Sequence, residues 1–428
     1  MDFTHCVGID CGTSSIKIVV RDLEFDEVTP VRYLDGREVT IPSFVGVDEG
    51  GHVVVGKQYD LLDRRYWRFE NLKGKILFQK DFAKQIADDL PLVCQLEGRD
   101  VPDSRWALNI TYAQPHYELM LALKLAYLMR RVRGDFDLQP GQTLWSLPLP
   151  ITSVESEEAT AMRCCYKSAV EFSRREDTSK SLYSLSEYIE LLSDYKSERS
   201  ARIGIEISDL QVMPEGVCNI VAIVSASFRR TDRFSLIDVG ASTIELITFS
   251  LEGQQLDIYH SKTSPLGIES LKSKGLATSH ADHQVELSDS ASEQLMNEIV
   301  YSLVSPSSIN NSYYKGNALV DVFMCGGGAL VDSINQLPGA IPAKRLQSFG
   351  IISIASQANL AASAGYDNIS ESMLPRYLVA CGLSIPAVNF SAYKLPNELA
   401  AMFREISEMV ILKPFSHLDD NWDPNAIK

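Results

Sequence analysis

A chain of 428 residues is too long for one small core and is expected to divide into two domains or lobes. Its 45% apolar and 9% aromatic content is that of a globular protein, and a net charge of −16 weighs against nucleic acid or an anionic membrane surface as the main partner. Eight cysteines without C-x-x-C spacing, two of them adjacent (Cys164 and Cys165), suggest reduced, buried thiols and a cytoplasmic setting.

The start, MDFTHCVGIDCG, has no basic n-region or long apolar h-region and is not expected to be a signal peptide. The chain then presents VGIDCGTSSIKIVV (Val7 to Val20), two apolar runs flanking a turn of one carboxylate, one glycine and three hydroxyls. The same arrangement returns in SLIDVGASTIELIT (Ser235 to Thr248), where Asp238, Gly240, Ser242 and Thr243 align with Asp10, Gly12, Ser14 and Ser15. Two related α/β halves, each opening with a hairpin, are expected. A turn of glycine and small hydroxyl residues lets backbone N–H groups converge on a phosphate. An aspartate at the strand end repels phosphate but suits the waters of a Mg²⁺ that neutralises it. The alternative for Asp10 and Asp238 is capping of their local turns.

Between the repeats, HYELMLALKLAYLMRRVRG (His116 to Gly134) is apolar around most of its circumference and predicts a buried helix. It contains the most apolar stretch, Leu119 to Met129, which is broken by Lys124 and too short to span a bilayer. Arg130, Arg131 and Arg133 fall in its last turn, where they complement the helix dipole; a nucleic-acid patch is the alternative. His116 is expected to be structural. The polar, charged run from Arg174 to Ser200 predicts a surface insertion with one amphipathic helix near Leu182–Leu192. His280 and His283 stand in a polar segment without a companion cluster, so a solvated loop is favoured over a metal site. Toward the end, Leu399, Met402, Phe403 and Ile406 share one helical face. No G-x-x-x-x-G-K-[ST] occurs, and neither a G-x-G-x-x-G opening a helix nor the protein-kinase set is present.

The paired hairpins resemble the two phosphate loops of the superfamily of actins, sugar kinases and heat-shock 70-kDa chaperones. DVFMCGGGALVDSINQ (Asp321 to Gln336) is similar to its adenosine loop, with Gly326, Gly327 and Gly328 admitting the nucleotide. DLQVMPEGVCNIVAIVSA (Asp209 to Ala226) resembles the first hinge helix, which places Glu215 where the family orients the attacking water. An acidic first-turn residue after Pro214 is the plainer reading of Glu215. LPRYLVACGLSIP (Leu374 to Pro386) resembles the second hinge helix, with Gly382 at the close crossing. Lys17 matches the phosphate-contacting lysine of actins and plasmid-partition actin-like proteins. SLPLPITSVESEE, VMPEGV, SPLGIESLKS and GGGALV look like those plasmid-partition ATPases. IPSFVGVDEGGHVVVGKQ (Ile41 to Gln58) reads like the chaperone pattern, and ENLKGKI offers Lys73 as the chaperones' catalytic lysine. Ala241 and Ser242 replace glycines of the usual second loop, and Glu245 follows it where the chaperones keep an aspartate.

The resemblance implies a two-lobed actin-like α/β fold of duplicated ribonuclease-H-like domains with a nucleotide cleft between them. The first lobe covers 1–212, with an outer subdomain at about 39–110; the second covers 213–370, with an outer subdomain near 263–316; residues 371–428 return to the first lobe and add a C-terminal helix and tail. It implies an ATPase using ATP/ADP and Mg²⁺, with Asp10 and Asp238 holding the metal through water and Glu215 acting on the nucleophile. Gly12, Thr13, Ser14, Ser15 and Lys17 would bind phosphate from one side, Gly240, Ala241, Ser242 and Thr243 from the other. The expected role is a nucleotide-driven switch forming filaments of plasmid-partition type; the alternative is a heat-shock 70-kDa-like module working with a separate protein partner. A small-molecule kinase is disfavoured by Glu215 in the hinge motif.

Overall fold

The computed structural model describes residues 3–32, 40–56, 67–80, 82–100, 106–150, 157–226, 233–252, 255–279, 285–304, 318–342, 351–357, 366, 368–370, 373–386 and 393–394. Strands β1 (His5–Cys11), β2 (Ser15–Asp22) and β3 (Val28–Pro30) form an antiparallel meander, and β4 (Ile41–Pro42) pairs with the start of β2. Strands β8 (Thr143–Leu149) and β10 (Leu210–Pro214) run parallel to β1, completing a six-stranded sheet of order β10-β8-β1-β2-β3 with β4 at its side. A second meander of β11 (Arg233–Val239), β12 (Ile244–Glu252) and β13 (Gln255–Ser264) is extended by β16 (Ala318–Cys325) and β17 (Ile351–Gln357), both parallel to β11. Its order is β17-β16-β11-β12-β13, with β18 (Tyr393–Lys394) on the far edge. Both meanders therefore carry two parallel strands on the same side and in the same sense.

Alternation along the strands decides what each face meets. Val7, Ile9 and Cys11 enter a core shared with the helices Trp106–Asp135 and Glu157–Ser173. The intervening Gly8 lies on the other face, where an added Cβ would stand 2.1 Å from the carbonyl oxygen of Ala380. In β11, Ile237 and Val239 point into an outer core, while Phe234 and Leu236 join the core of the helices Glu215–Ala226 and Leu374–Leu383. Asp10 and Asp238, two residues beyond Gly8 and Leu236, are thus carried at the strand ends on the faces turned toward these two helices. The helices cross at Gly382, where an added Cβ would lie 1.8 Å from the oxygen of Cys218.

Short strands β5 (Val45–Val47), β6 (Val53–Val54) and β7 (Trp67–Phe69) form an outer four-stranded sheet of order β7-β5-β6-β9, its last strand being β9 (Leu182–Tyr183). β9 corrects the expectation for residues 174–200. The segment is an integral layer: after β9, Ser184 and Glu187 form a capping box that starts a helix over Leu185–Ile203, whose Tyr188, Leu192 and Tyr195 are buried in the first core. The amphipathic helix expected near Leu182–Leu192 is present but runs on to Ile203, and its buried face is largely aromatic and carries hydroxyls. Tyr195 donates to the buried Glu118, and Tyr188 meets His116 at 3.0 Å. His116 also contacts Glu97 at 3.0 Å, and burial pushes its pKa down to about 4, so it is a neutral core residue. The three arginines near the end of the long helix have protein partners: Arg130 bonds Glu176 and Ser179, Arg131 bonds Asp135, and Arg133 donates to the Ser173 carbonyl.

Beyond β13 a two-stranded ribbon of β14 (Ala277–Ser279) and β15 (Val285–Leu287) precedes the helix Asp289–Val304. All eight cysteines are buried and unpaired with one another. Among the described residues no helix is long and apolar enough to cross a membrane. Residues 371–428 divide: the helix Leu374–Leu383 packs on β1 and β2, whereas Tyr393 and Lys394 pair with β13 of the second sheet. His280, His283 and the amphipathic tail segment lie outside the described residues.

Candidate functional site

The two hairpins turn at equivalent points. In the first, Cys11 pairs with Ile16 across four turn residues; in the second, Val239 pairs with Ile244 across four more. Both turns open into one cleft of about 450 Å³. It is lined by Asp10, Gly12, Thr13, Ser14, Ser15 and Lys17 from the first sheet, by Asp238, Gly240, Ala241, Thr243 and Glu245 from the second, and by Lys73, Glu215 and Gly326–Gly328. Of the residues expected at the site, Ser242 does not line the cleft. Its carbonyl is turned onto the backbone N–H of Gly267 at 3.2 Å and the Ser270 hydroxyl at 2.7 Å.

Each turn is tied down from behind by a segment of its own half. Ser43, of the Pro-Ser pair after β4, donates its N–H to the Ser14 carbonyl at 3.2 Å and its hydroxyl to that of Thr13. In the second half the first turn of the short helix Ile268–Ser273 does the equivalent work, with Ile268 N–H bonded to Gly240 at 3.2 Å and Glu269 N–H to Ala241 at 2.7 Å. Gly267 makes this possible: a Cβ there would stand 2.4 Å from the backbone of Ser242 and Thr243. Backbone hydrogen bonds from outside the hairpins thus hold both turns, including the one that contains Ala241 and Ser242.

The charged groups break the likeness of the two hairpins. The register sets Asp10 opposite Lys17, but sets Asp238 opposite Glu245. Lys17 donates to Asp10 Oδ2 at 2.8 Å; Oδ1 of the same carboxylate is buried with no hydrogen-bond partner. Asp238 Oδ2 instead accepts from the Asn219 amide at 2.8 Å. Burial first, and then the Glu215 carboxylate, push the Asp238 pKa up to about 6. Glu215, the first residue of its helix, accepts from Lys73 Nζ at 2.6 Å. Lys73 is buried, which opposes its charge, but the carboxylates of Glu215 and Asp10 hold it as an ammonium above the usual lysine range.

Two of the three loop glycines are required by packing. Gly326 has φ 79°, and a Cβ there would lie 2.3 Å from Asp238 Oδ1; one at Gly328 would lie 2.3 Å from Val239 Cγ1. These two glycines let the loop press against the end of β11, while Gly327 is open, with Arg376 Nε at 3.9 Å as its nearest neighbour. Glu269, Lys272, Arg376 and Thr40 also line the cleft and were not singled out by sequence reasoning. SPLGIESLKS carried the only signal for the first two. Sequence reasoning did not single out Asn219 either, an amide flanked by the apolar residues Val217, Cys218, Ile220 and Val221. Among the described residues no three His, Cys, Asp or Glu side chains converge to hold a metal ion directly. No protein-family model and no curated protein matches this sequence.

Proposed function

We infer that the chain is a two-lobed actin-like ATPase that binds Mg–ATP in this cleft. The observation that carries the reading is the pair of equivalent hairpins, one from each of two sheets with the same strand order, bringing Asp10 and Asp238 to one cavity. The turn residues Gly12–Ser15 on one side and Ala241 and Thr243 on the other would supply N–H donors to the phosphates, the Gly240 N–H being held by the Thr243 carbonyl and Ser242 lying outside the cleft; Lys17 and Lys73 would add charge, and Gly327 would admit the nucleoside. The donor set fits a hydrated Mg²⁺. Asp10 Oδ1 is a buried acceptor without a donor, a state costing about 1–3 kcal/mol that a metal-bound water would relieve, and Asp238, Glu245 and Glu215 concentrate negative charge beside it. Bound with ATP, Mg²⁺ would neutralise phosphate charge.

Hydrolysis then needs little more than positioning. Glu215 accepts a hydrogen of the water whose oxygen bonds to the γ-phosphorus while the bond to the β–γ bridging oxygen breaks. ADP leaves with that oxygen, and the proton passes to the phosphate product. Lys73, which donates to Glu215 at 2.6 Å and lines the same cleft, would fix the carboxylate's position and add positive charge beside the transferred group. Contact of both hairpins with the γ-phosphate makes turnover a switch between closed and relaxed states. We read that switch as driving nucleotide-dependent filaments of plasmid-partition type. The Lys73–Glu215 pair and the Ser43 tie favour, as second reading, a heat-shock 70-kDa-like module acting through a protein partner. Light scattering and negative-stain microscopy separate the two: filaments that need Mg–ATP support the first, a monomer at high concentration the second.

Binding itself is tested by thermal unfolding. ATP with Mg²⁺ at about a hundred times its Kd should stabilise the fold by about 2.7 kcal/mol, and a chelator should remove most of the gain. An unchanged Tm at saturating nucleotide, with and without Mg²⁺, overturns the reading. Lys17→Ala should weaken ATP and ADP at least about tenfold while adenosine is held equally well, since a charge-assisted phosphate contact contributes about 1.5–3 kcal/mol. The variant should also melt earlier without ligand, because Asp10, only 3% exposed, loses its ion-pair partner. Parallel weakening of adenosine would reduce Lys17 to a structural residue.

A further inference from the structure

Asn219 is fully buried, one helical turn after Glu215, among Val217, Cys218, Ile220, Ala222 and Ile223. Its amide nitrogen donates to Asp238 Oδ2 at 2.8 Å, and its carbonyl oxygen is buried without a hydrogen-bond partner. The reverse amide orientation would set that oxygen against a carboxylate, so the donor role is fixed by chemistry. A leucine, which has the same branched heavy-atom shape, would fill the site without an unpaired carbonyl of its own but would take the donor from Asp238 Oδ2; packing alone therefore does not account for the amide. Its bond to Asp238 does. The other oxygen of Asp238 lies against the Gly326 turn, close enough that a Cβ at Gly326 would stand 2.3 Å from it. The carboxylate is gripped between the helix of Glu215 and the glycine loop. Asp10 has the opposite device, a lysine from its own hairpin.

We propose that Asn219 is a positioning residue: it holds Asp238 in the one orientation that serves a hydrated divalent cation, and ties that carboxylate to the helix that carries Glu215. A neutral donor does this without cancelling the negative charge, which Lys17 does at Asp10. The proposal rests on reading the cleft as a Mg–nucleotide site.

The test is equilibrium binding of ADP to the full chain, in chelator and across a Mg²⁺ titration, for the wild type, Asn219→Ala and Asn219→Thr. Threonine keeps most of the volume but its hydroxyl is one bond too short to reach Asp238. Both variants should bind metal-free ADP within about twofold of wild type and need at least about tenfold more Mg²⁺ for the metal-dependent gain, the usual scale for losing a group that orients a metal-site ligand. An unchanged Mg²⁺ requirement overturns the proposal and leaves the nucleotide reading standing. Equal loss with and without metal, or failure of both variants to fold, makes Asn219 structural and also overturns it. No ADP binding by the wild type under either condition overturns both readings.

Discussion

Replacing Glu215 by alanine is expected to lower ATP turnover by roughly a hundredfold or more while ATP affinity stays within a few-fold, the scale for losing a positioned proton-accepting group. Affinity should survive because the side chain removed is an anion: Lys73, now paired with Glu215 at 2.6 Å, keeps Asp10 as a neighbouring charge and remains available to phosphate. The ATP state should accumulate, and any filament should persist. Asp10→Ala should behave differently, losing Mg-dependent affinity together with rate. Single-turnover hydrolysis and nucleotide binding on the same preparations distinguish the two patterns. A wild-type rate in Glu215→Ala would leave Glu215 as a helix-start residue favoured by the dipole and nothing more.

Gly382→Ala should be the most damaging small substitution in the fold. Its methyl group would meet the Cys218 oxygen at 1.8 Å and the Cys218 Cα at 2.9 Å, so the backbones of two helices must separate. Overpacking of this kind costs about 1–3 kcal/mol and more where backbone is the obstacle, so the upper end is expected, read as a lower Tm. The same displacement moves the start of the helix that bears Glu215 and Asn219, so turnover should fall further than stability alone accounts for. Gly134→Ala is the control: its Cβ meets nothing within 4 Å, and an alanine in a helix is favoured by about 0.5–1 kcal/mol. Equal melting temperatures for the two variants would mean that the crossing has slack.

The hairpins were legible because their chemistry is local. A strand, an aspartate, a glycine and hydroxyls in fixed spacing repeat in the sequence, and a repeat is visible without any contact information. Gly382 was placed at a close crossing by the resemblance of LPRYLVACGLSIP to a second hinge helix, and a glycine inside an apolar helix agrees with that placement. What ties the turns was not legible. Ser43 is 30 residues from Thr13, and Gly267 is 25 from Ser242; a hydrogen bond across such distances leaves no periodic trace. Asn219 faces Asp238 only because one helix docks on another sheet. The amphipathic helix expected near Leu182–Leu192 is there, but its extension to Ile203 and the strand β9 that joins it to the outer sheet were missed, because the buried tyrosines Tyr188 and Tyr195 count as polar in a composition reading.

Two hairpins related by repetition would, if their side chains were alike, offer a cleft with no front or back. Lys17 and Glu245 occupy the same step of the two ladders and carry opposite charge. At that step the first hairpin pairs a lysine with its aspartate, whereas the second sets two carboxylates side by side, so the two turns differ in local charge. An elongated anion entering such a site meets two unequal ends and has one seating lower in energy than its reverse. Lys17→Glu or Glu245→Lys would make the two ends alike, and the ambiguity that duplication creates would return.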